Sequence, residues 1–340
     1  MPDPTDPRHP AEPPPPEGSQ PPPADDLDYR HSTGRLHFAA RQRGLDATAL
    51  GQLVLYLPGT VMSLVVLLLI SGGLDAWLGV PFWILPLVWL LSGALLFHRP
   101  VEDFLALHLL RLQRPLPDEY ARLAPIWREV TARAGVDGRT YELWVQDSDD
   151  LNAYAAAGHI VGVTRFALDN LSSAQLAAIL AHELGHHTGG HVWSSLLGEW
   201  YALPGRLAWR VIRSVMVLAV AWASYYSWLA TALLIFVTGL LTISTLEKLY
   251  GLPLILLVTP YLIAAVGRRA ELRADQHAAG LGFARELAGV LQAMHEAERK
   301  ARLAAMTAAG GKDPQPGLLA RLLATHPDYP TRLHRLRPYL

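Results

Sequence analysis

Charged residues fall in clusters along this chain, and between the clusters lie long stretches with none. No Asp, Glu, Lys or Arg occurs in 47–74, 76–97, 214–246 or 249–267. An α-helix rises about 1.5 Å per residue, so about 20 residues cross the hydrocarbon core of a bilayer. The first three stretches are long enough for that and the fourth just reaches. The pattern predicts about four transmembrane helices, two of them near 53–71 and 78–97 and two more within 211–267. The third stretch is longer than one crossing needs, so its boundaries stay open. Two crossings inside it would make the total odd and put the middle and C-terminal segments on opposite faces of the membrane, against the arginine pattern.

Between and after these stretches the periodicity changes. Segments 101–114 and 118–134 repeat apolar residues at helical spacing, the second ending at Gly135. Short strand-like runs follow at 141–146, 152–156 and 159–164, separated by turn residues. Ser172 with Gln175 forms a capping box for a helix that runs to about His187 and stops at Gly189-Gly190. The expected layout is an N-terminal membrane region over 29–98, a cytoplasmic α+β segment with a small antiparallel sheet over 99–210, a membrane region over 211–267 and a helical cytoplasmic segment over 268–340. Residues 1–28 hold eleven of the 26 prolines and seven acids against one arginine, which reads as a disordered tail.

Charge supplies an orientation. Arg35, Arg41 and Arg43 precede the first stretch, Arg99, Arg111 and Arg114 follow the second, Arg206, Arg210 and Arg213 precede the third, and Arg268, Arg269 and Arg273 follow the fourth. By the positive-inside rule both termini and the middle segment face the cytoplasm. Only 17% of the residues are charged, against about 25% in an ordinary soluble domain. A multi-pass membrane protein results, and the Ala-, Leu-, Arg- and Pro-rich, Lys-poor composition suggests a bacterial inner membrane. A net charge of -1 gives no overall attraction to nucleic acid, and none is expected as a partner. With no cysteine there is no thiol nucleophile and no thiolate metal site, so a metal must bind through His and carboxylate.

The chemistry concentrates on the capped helix, in His182-Glu183-Leu184-Gly185-His186. Residues four apart stand one turn apart on nearly one face, so both imidazoles reach one zinc ion, with Glu183 beside it to take a proton from water. A third His at the end of HExxHxxGxxH would complete one known arrangement, but His191 comes one residue early. The other solution takes a carboxylate from a second helix. Glu271 to Asp275 fits it, Glu271 as ligand and Asp275 as acceptor for the outer N–H of a ligand His.

These motifs, together with Asn152-Ala153-Tyr154-Ala155, His326-Pro327 and Arg332, resemble the HtpX-like membrane zinc metalloproteases, relatives of the CAAX prenyl proteases and of the mitochondrial inner-membrane stress protease. The likeness covers about residues 100–340. It implies a zincin-like catalytic domain of the gluzincin type holding one zinc per chain on His182, His186 and Glu271, with Glu183 as general base and Asp275 behind the ligands. It also implies cleavage of membrane or misfolded polypeptides at the cytoplasmic face.

Other residues carry two readings each. The strand of Asn152, Ala153 and Tyr154 either pairs with an extended substrate backbone or is a plain edge strand. His326 either donates to the tetrahedral oxyanion or caps a loop, and Tyr154 is a weaker oxyanion candidate. Arg332 reads as half of a structural ion pair, and His187, His191 and His277 receive no ligand role. Arg210, Arg213, Arg268 and Arg269 read as membrane-interface anchors. Beside the membrane zinc endopeptidase stand a catalytically silent sensor or scaffold and a metal-binding transporter subunit. The sensor lacks room for a sensory domain, and the transporter lacks ionisable groups in its spans.

Overall fold

A computed structural model of the chain describes residues 46–248, 250, 252–308 and 317–340. The expected tail at 1–28, Arg35, Arg41, Arg43 and most of the 310–317 linker lie outside the described residues.

Helix α1 (Ala47–Leu78) joins the first uncharged stretch to the start of the second and ends at Gly79, whose φ of 67° suits a residue without a Cβ. The second expected span, 78–97, is shorter than expected. It consists of α2 (Ile84–Ser92) and a 3-10 turn (Gly93–Phe97), then bends by 81° into α3 (Arg99–Phe104) and a π turn (Leu105–Leu109). Pro81, early in the segment, cannot continue a helix begun in α1, and about 14 helical residues are too few for a straight crossing. The predicted helix 101–114 stops early because Arg111 takes a φ of 54°, and Leu112–Gln113 becomes strand β1.

Helix α4 (Pro117–Ala134) then leads to β2 (Glu142–Gln146), β3 (Ala153–Ala156) and β4 (Ile160–Thr164). The sheet has the order β1-β2-β4-β3. Its β1/β2 and β3/β4 pairs are antiparallel, but β2 and β4 are parallel, with Trp144 opposite Gly162. The sheet is therefore mixed, not antiparallel as expected. The cause is that β3 turns back against β4 on its outer side, leaving β4 to pair with β2 in the same direction. As a result β3 is an edge strand.

A short helix α5 (Arg165–Asn170) precedes α6 (Ser173–Thr188), which carries the HExxH motif. Ser172 and Gln175 form the reciprocal capping box, as expected. Leu176, Leu180 and Leu184 of α6 are fully buried, with Leu123 and Val130 of α4 and Leu291 further along the chain in the same apolar core. Burying a Leu side chain contributes about 2 kcal/mol, so this face holds α6 firmly while its other face carries the polar residues.

Helix α7 (His191–Tyr226) runs unbroken across the expected domain boundary at 210, and α8 (Trp228–Lys248) follows after Ser227. The third uncharged stretch is thus a helical hairpin and not a single span. Thr238 of α8 meets Met216 of α7, an antiparallel pairing about Ser227. Helix α9 (Leu252–Ala278) likewise passes through the expected boundary at 268. A π turn (Ala279–Phe283), α10 (Ala284–Ala308), α11 (Leu318–Leu323) and α12 (Tyr329–Leu336) complete the chain. Among the described residues α1, α7 and α8 are each long and apolar enough to cross a membrane, and the bent pair around His98 makes a fourth if taken as one span.

Helices α1 and α7 run side by side and in parallel, joined by a polar ladder. Thr48 contacts His191 at 2.6 Å, Gln52 donates to Ser195 at 2.8 Å, Tyr56 donates to Glu199 at 2.6 Å and Ser63 accepts from the Gly205 N–H at 2.9 Å. At Gly198 the Tyr56 ring occupies the space that a Cβ would need.

Candidate metal and catalytic site

Glu271 reaches the HExxH turn because α9 lies almost against the backbone of α6. A Cβ on Gly185 would stand 3.0 Å from Ala274 Cα, so the second variable position of the motif must stay small for the helices to meet. In that packing His182 Nε2 and His186 Nε2 are 3.3 Å apart. Glu271 places Oε1 3.3 Å from His186 Nε2 and Oε2 3.6 Å from His182 Nε2. All three residues offer donor atoms within 4.8 Å of one another.

Asp275, one turn beyond Glu271, sets its Oδ1 2.9 Å from His182 Nδ1, off the straight line of a good hydrogen bond. Its carboxylate is gripped in two places by Arg332, at 2.8 Å from Nε and 2.6 Å from Nη2. Arg332 Nη1 also lies 3.5 Å from Glu271. The ion pair expected of Arg332 is thus present, and its partner is the carboxylate behind the His. Burial works against charge on all these groups, yet the contacts outweigh it. Asp275 and Glu271 hold His182 up at about 10. His182, His186 and His326 keep Glu271 far below the usual carboxylate range, and Arg332 and His182 depress Asp275.

An open cleft of about 1950 Å³ lies over these groups. Glu183, His326 and residues 152–156 line it with the three donors. His326 sits on the rim, 71% exposed, with Nδ1 3.2 Å from Glu271 Oε1, a contact that raises its pKa. The Tyr154 hydroxyl donates to Gln146 at 2.5 Å and is therefore engaged within the sheet. Asn152 accepts from the Ala153 N–H through its side chain. His187 contacts the Ile160 carbonyl at 2.9 Å, and His191 is held by Thr48, so neither joins the donor set. Arg268, expected as a membrane-interface anchor, has partners within the fold as well. It donates to the Leu322 and Ala324 carbonyls and lines the cleft.

The ladder from Thr48 to His191 and the salt bridge from Arg273 to Asp46 were not foreseen from the sequence. Their partners lie far apart in the chain, and no motif links them.

The sequence pattern of peptidase family M48 matches residues 117–339, about two thirds of the chain. The chain belongs to peptidase family M48. Members of peptidase family M48 are metalloproteases, typically zinc-dependent. No curated protein matches this M48 chain. It is similar to the solved structure of Ste24p from S. mikatae, with 18% identity and a TM-score of 0.43 over 79% of this chain and 62% of that one. The M48 chain therefore spans about three fifths of the length of that structure.

Proposed function

We propose that the protein is an integral-membrane zinc endopeptidase that cleaves membrane or misfolded polypeptides at the cytoplasmic face of a bacterial inner membrane. The observation that carries the reading is the spacing of the donors. Zinc bonds of 2.0–2.1 Å in a tetrahedron separate neighbouring ligand atoms by about 3.3 Å. The two imidazole nitrogens are 3.3 Å apart, at that figure, and the Glu271 carboxylate stands beside both through different oxygens, Oε1 3.3 Å from His186 and Oε2 3.6 Å from His182. Two imidazoles and one carboxylate are also the donor set of a catalytic zinc site with a position left for water. His182, His186 and Glu271 would hold one zinc per chain.

A bound zinc supplies a water that loses its proton near neutrality and a positive charge that polarises a peptide carbonyl. With the ion bound, Glu183 would take one proton from the attacking water and pass it to the leaving nitrogen, so water and peptide become a carboxylic acid and an amine, which exchange a proton to carboxylate and ammonium at neutral pH. Asp275, fixed by Arg332, holds the Nδ1–H of His182 and directs Nε2 toward the cleft. His326 donates to the oxyanion from the rim. The free edge of β3, with Asn152, Ala153 and Tyr154, takes the substrate backbone by strand addition, which favours extended, unfolded segments of weak sequence preference. The arginines at the ends of the apolar stretches support the cytoplasmic placement of site and termini.

Purified in detergent, the protein is expected to bind about one zinc per chain and to cleave unfolded casein. Glu183→Gln should lower the rate by at least about a hundredfold with zinc retained. Glu271→Ala should lose the metal. Zinc-loaded wild-type protein that leaves casein uncut while binding it would favour a silent scaffold instead.

A further inference from the structure

Helix α2 and the 3-10 turn after it hold nine and five residues and rise about 23 Å, short of the roughly 30 Å of a bilayer core. Their far end is marked by Trp77, Phe82 and Trp83 around the turn from α1, all exposed as in an interfacial aromatic belt. The shortfall therefore falls at the cleft end, where the chain bends by 81° into α3 and the π turn, nearly at right angles to the span. Every charged side chain of α3 is drawn to one side. Arg99 pairs with Glu142 at 2.6 Å and Asp103 with Arg114 at 3.1 Å. The buried Glu102 meets His159 Nδ1 at 2.9 Å and accepts from the Gly158 N–H at 3.2 Å. The other side exposes Phe104, Leu107 and Leu109, with the His108 ring stacked on Phe104. Exposed apolar side chains thus continue from Leu95 and Phe97 of the short span through the bend.

We propose that α3 and the π turn lie flat in the headgroup region of the bilayer, and that the cleft opens onto that surface to take polypeptide segments that flank a membrane span. An amphipathic element of this kind sinks its apolar face about 5–10 Å into the headgroup boundary, which covers the roughly 7 Å by which the span falls short. The same element forms part of the cleft, since Leu105, Leu109 and Leu110 are in its lining. Glu102 ties it to the β3–β4 turn through Gly158 and His159, so the edge strand β3 is held at a fixed distance from the lipid surface. A segment next to a span reaches that strand without leaving the interface.

The lipid contact is independent of the peptidase reading, and the substrate preference rests on it. With no native cysteine in the chain, full-length Leu107→Cys and Asp169→Cys each take a single NBD label. Asp169 is exposed and precedes the start of α6, the end opposite the one that meets α1. In phosphatidylcholine vesicles the Leu107 label should emit about 10 nm to the blue of the Asp169 label and lose about half its emission to doxyl-labelled phosphatidylcholine, with the Asp169 label unquenched. Matching spectra and quenching at the two positions would overturn the proposal. The kinetic arm compares reconstituted wild type with Leu107→Asp, a position outside the cleft lining, on a short soluble peptide and on the same peptide joined to a single-span anchor. The variant should cut the anchored substrate about three- to tenfold more slowly and the soluble one at the wild-type rate. Equal losses on both substrates, or none on either, would overturn the entry from the membrane surface. A shielded Leu107 label in zinc-loaded protein that cuts neither substrate would keep the lipid contact and sink the peptidase reading.

Discussion

Arg332 is separated from Asp275 by 57 positions in the chain, yet its guanidinium is the group that fixes Asp275 behind His182. Removing it as Arg332→Met leaves a buried carboxylate facing only a His, which should cost about 3–5 kcal/mol of stability. Zinc affinity should fall about 10–100-fold, since a supporting group of this kind tunes the ligand it touches. Thermal melting and a zinc titration report the two losses separately, and wild-type zinc affinity in the variant would remove Arg332 from the site. His187 is the contrasting case. Burial pushes its ring down to about 4, against a hydrogen bond to Ile160 that favours protonation. Below about pH 6.5 the unfolded chain takes up a proton that the folded ring refuses, so stability falls as pH drops from 6.5 toward 4. The shift from 6.5 to about 4 amounts to about 3 kcal/mol, readable as a melting temperature that declines over that window in wild type and less in His187→Gln.

Among the elements, α6 was the most legible in the sequence. Its cap, its apolar face, its two His and its end all lie within one short segment, and local residues decide all of them. Three strands were placed to within a residue or two for the same reason. The parallel pairing of β2 with β4 was hidden because strand order depends on where β3 folds back, and no residue in 147–152 announces it. Strand β1 was hidden too, since Leu112 and Gln113 continue an apolar helical pattern that only the backbone turn at Arg111 breaks. The α1–α7 contact depends on pairs 142 and 143 residues apart, beyond the reach of any periodicity. Gly198 is where that contact is tightest. Gly198→Ala should force the Tyr56 ring off Glu199 and destabilise the helix pair by about 1–3 kcal/mol. Gly72→Ala, where a Cβ meets nothing within 4 Å, should leave the melting temperature in detergent unchanged or raised. Equal melting of the two variants would show that the glycine is not needed for the pairing.

For the molecule as a whole, the sequence divided membrane from catalytic segments more sharply than the fold does. Expected boundaries at 210 and 268 fall inside α7 and α9, because the helices that hold the site also lead into the apolar region. The 36 residues of α7 make a rod about 54 Å long, with His191 in the cleft wall at one end and the aromatic side chains of Trp222, Tyr225 and Tyr226 exposed at the other. Such a rod is a lever. A tilt of about 2° at its aromatic end displaces the opposite end by about 2 Å, and helices tilt to match the thickness of the lipid around them. Reconstituted in phospholipids of increasing chain length, the protein should therefore change its rate of peptide cleavage at constant zinc content, and a flat rate across the series would argue that α7 bends instead of tilting. A rate that varies across the series would make the thickness of the bilayer a setting of the chemistry beside this helix.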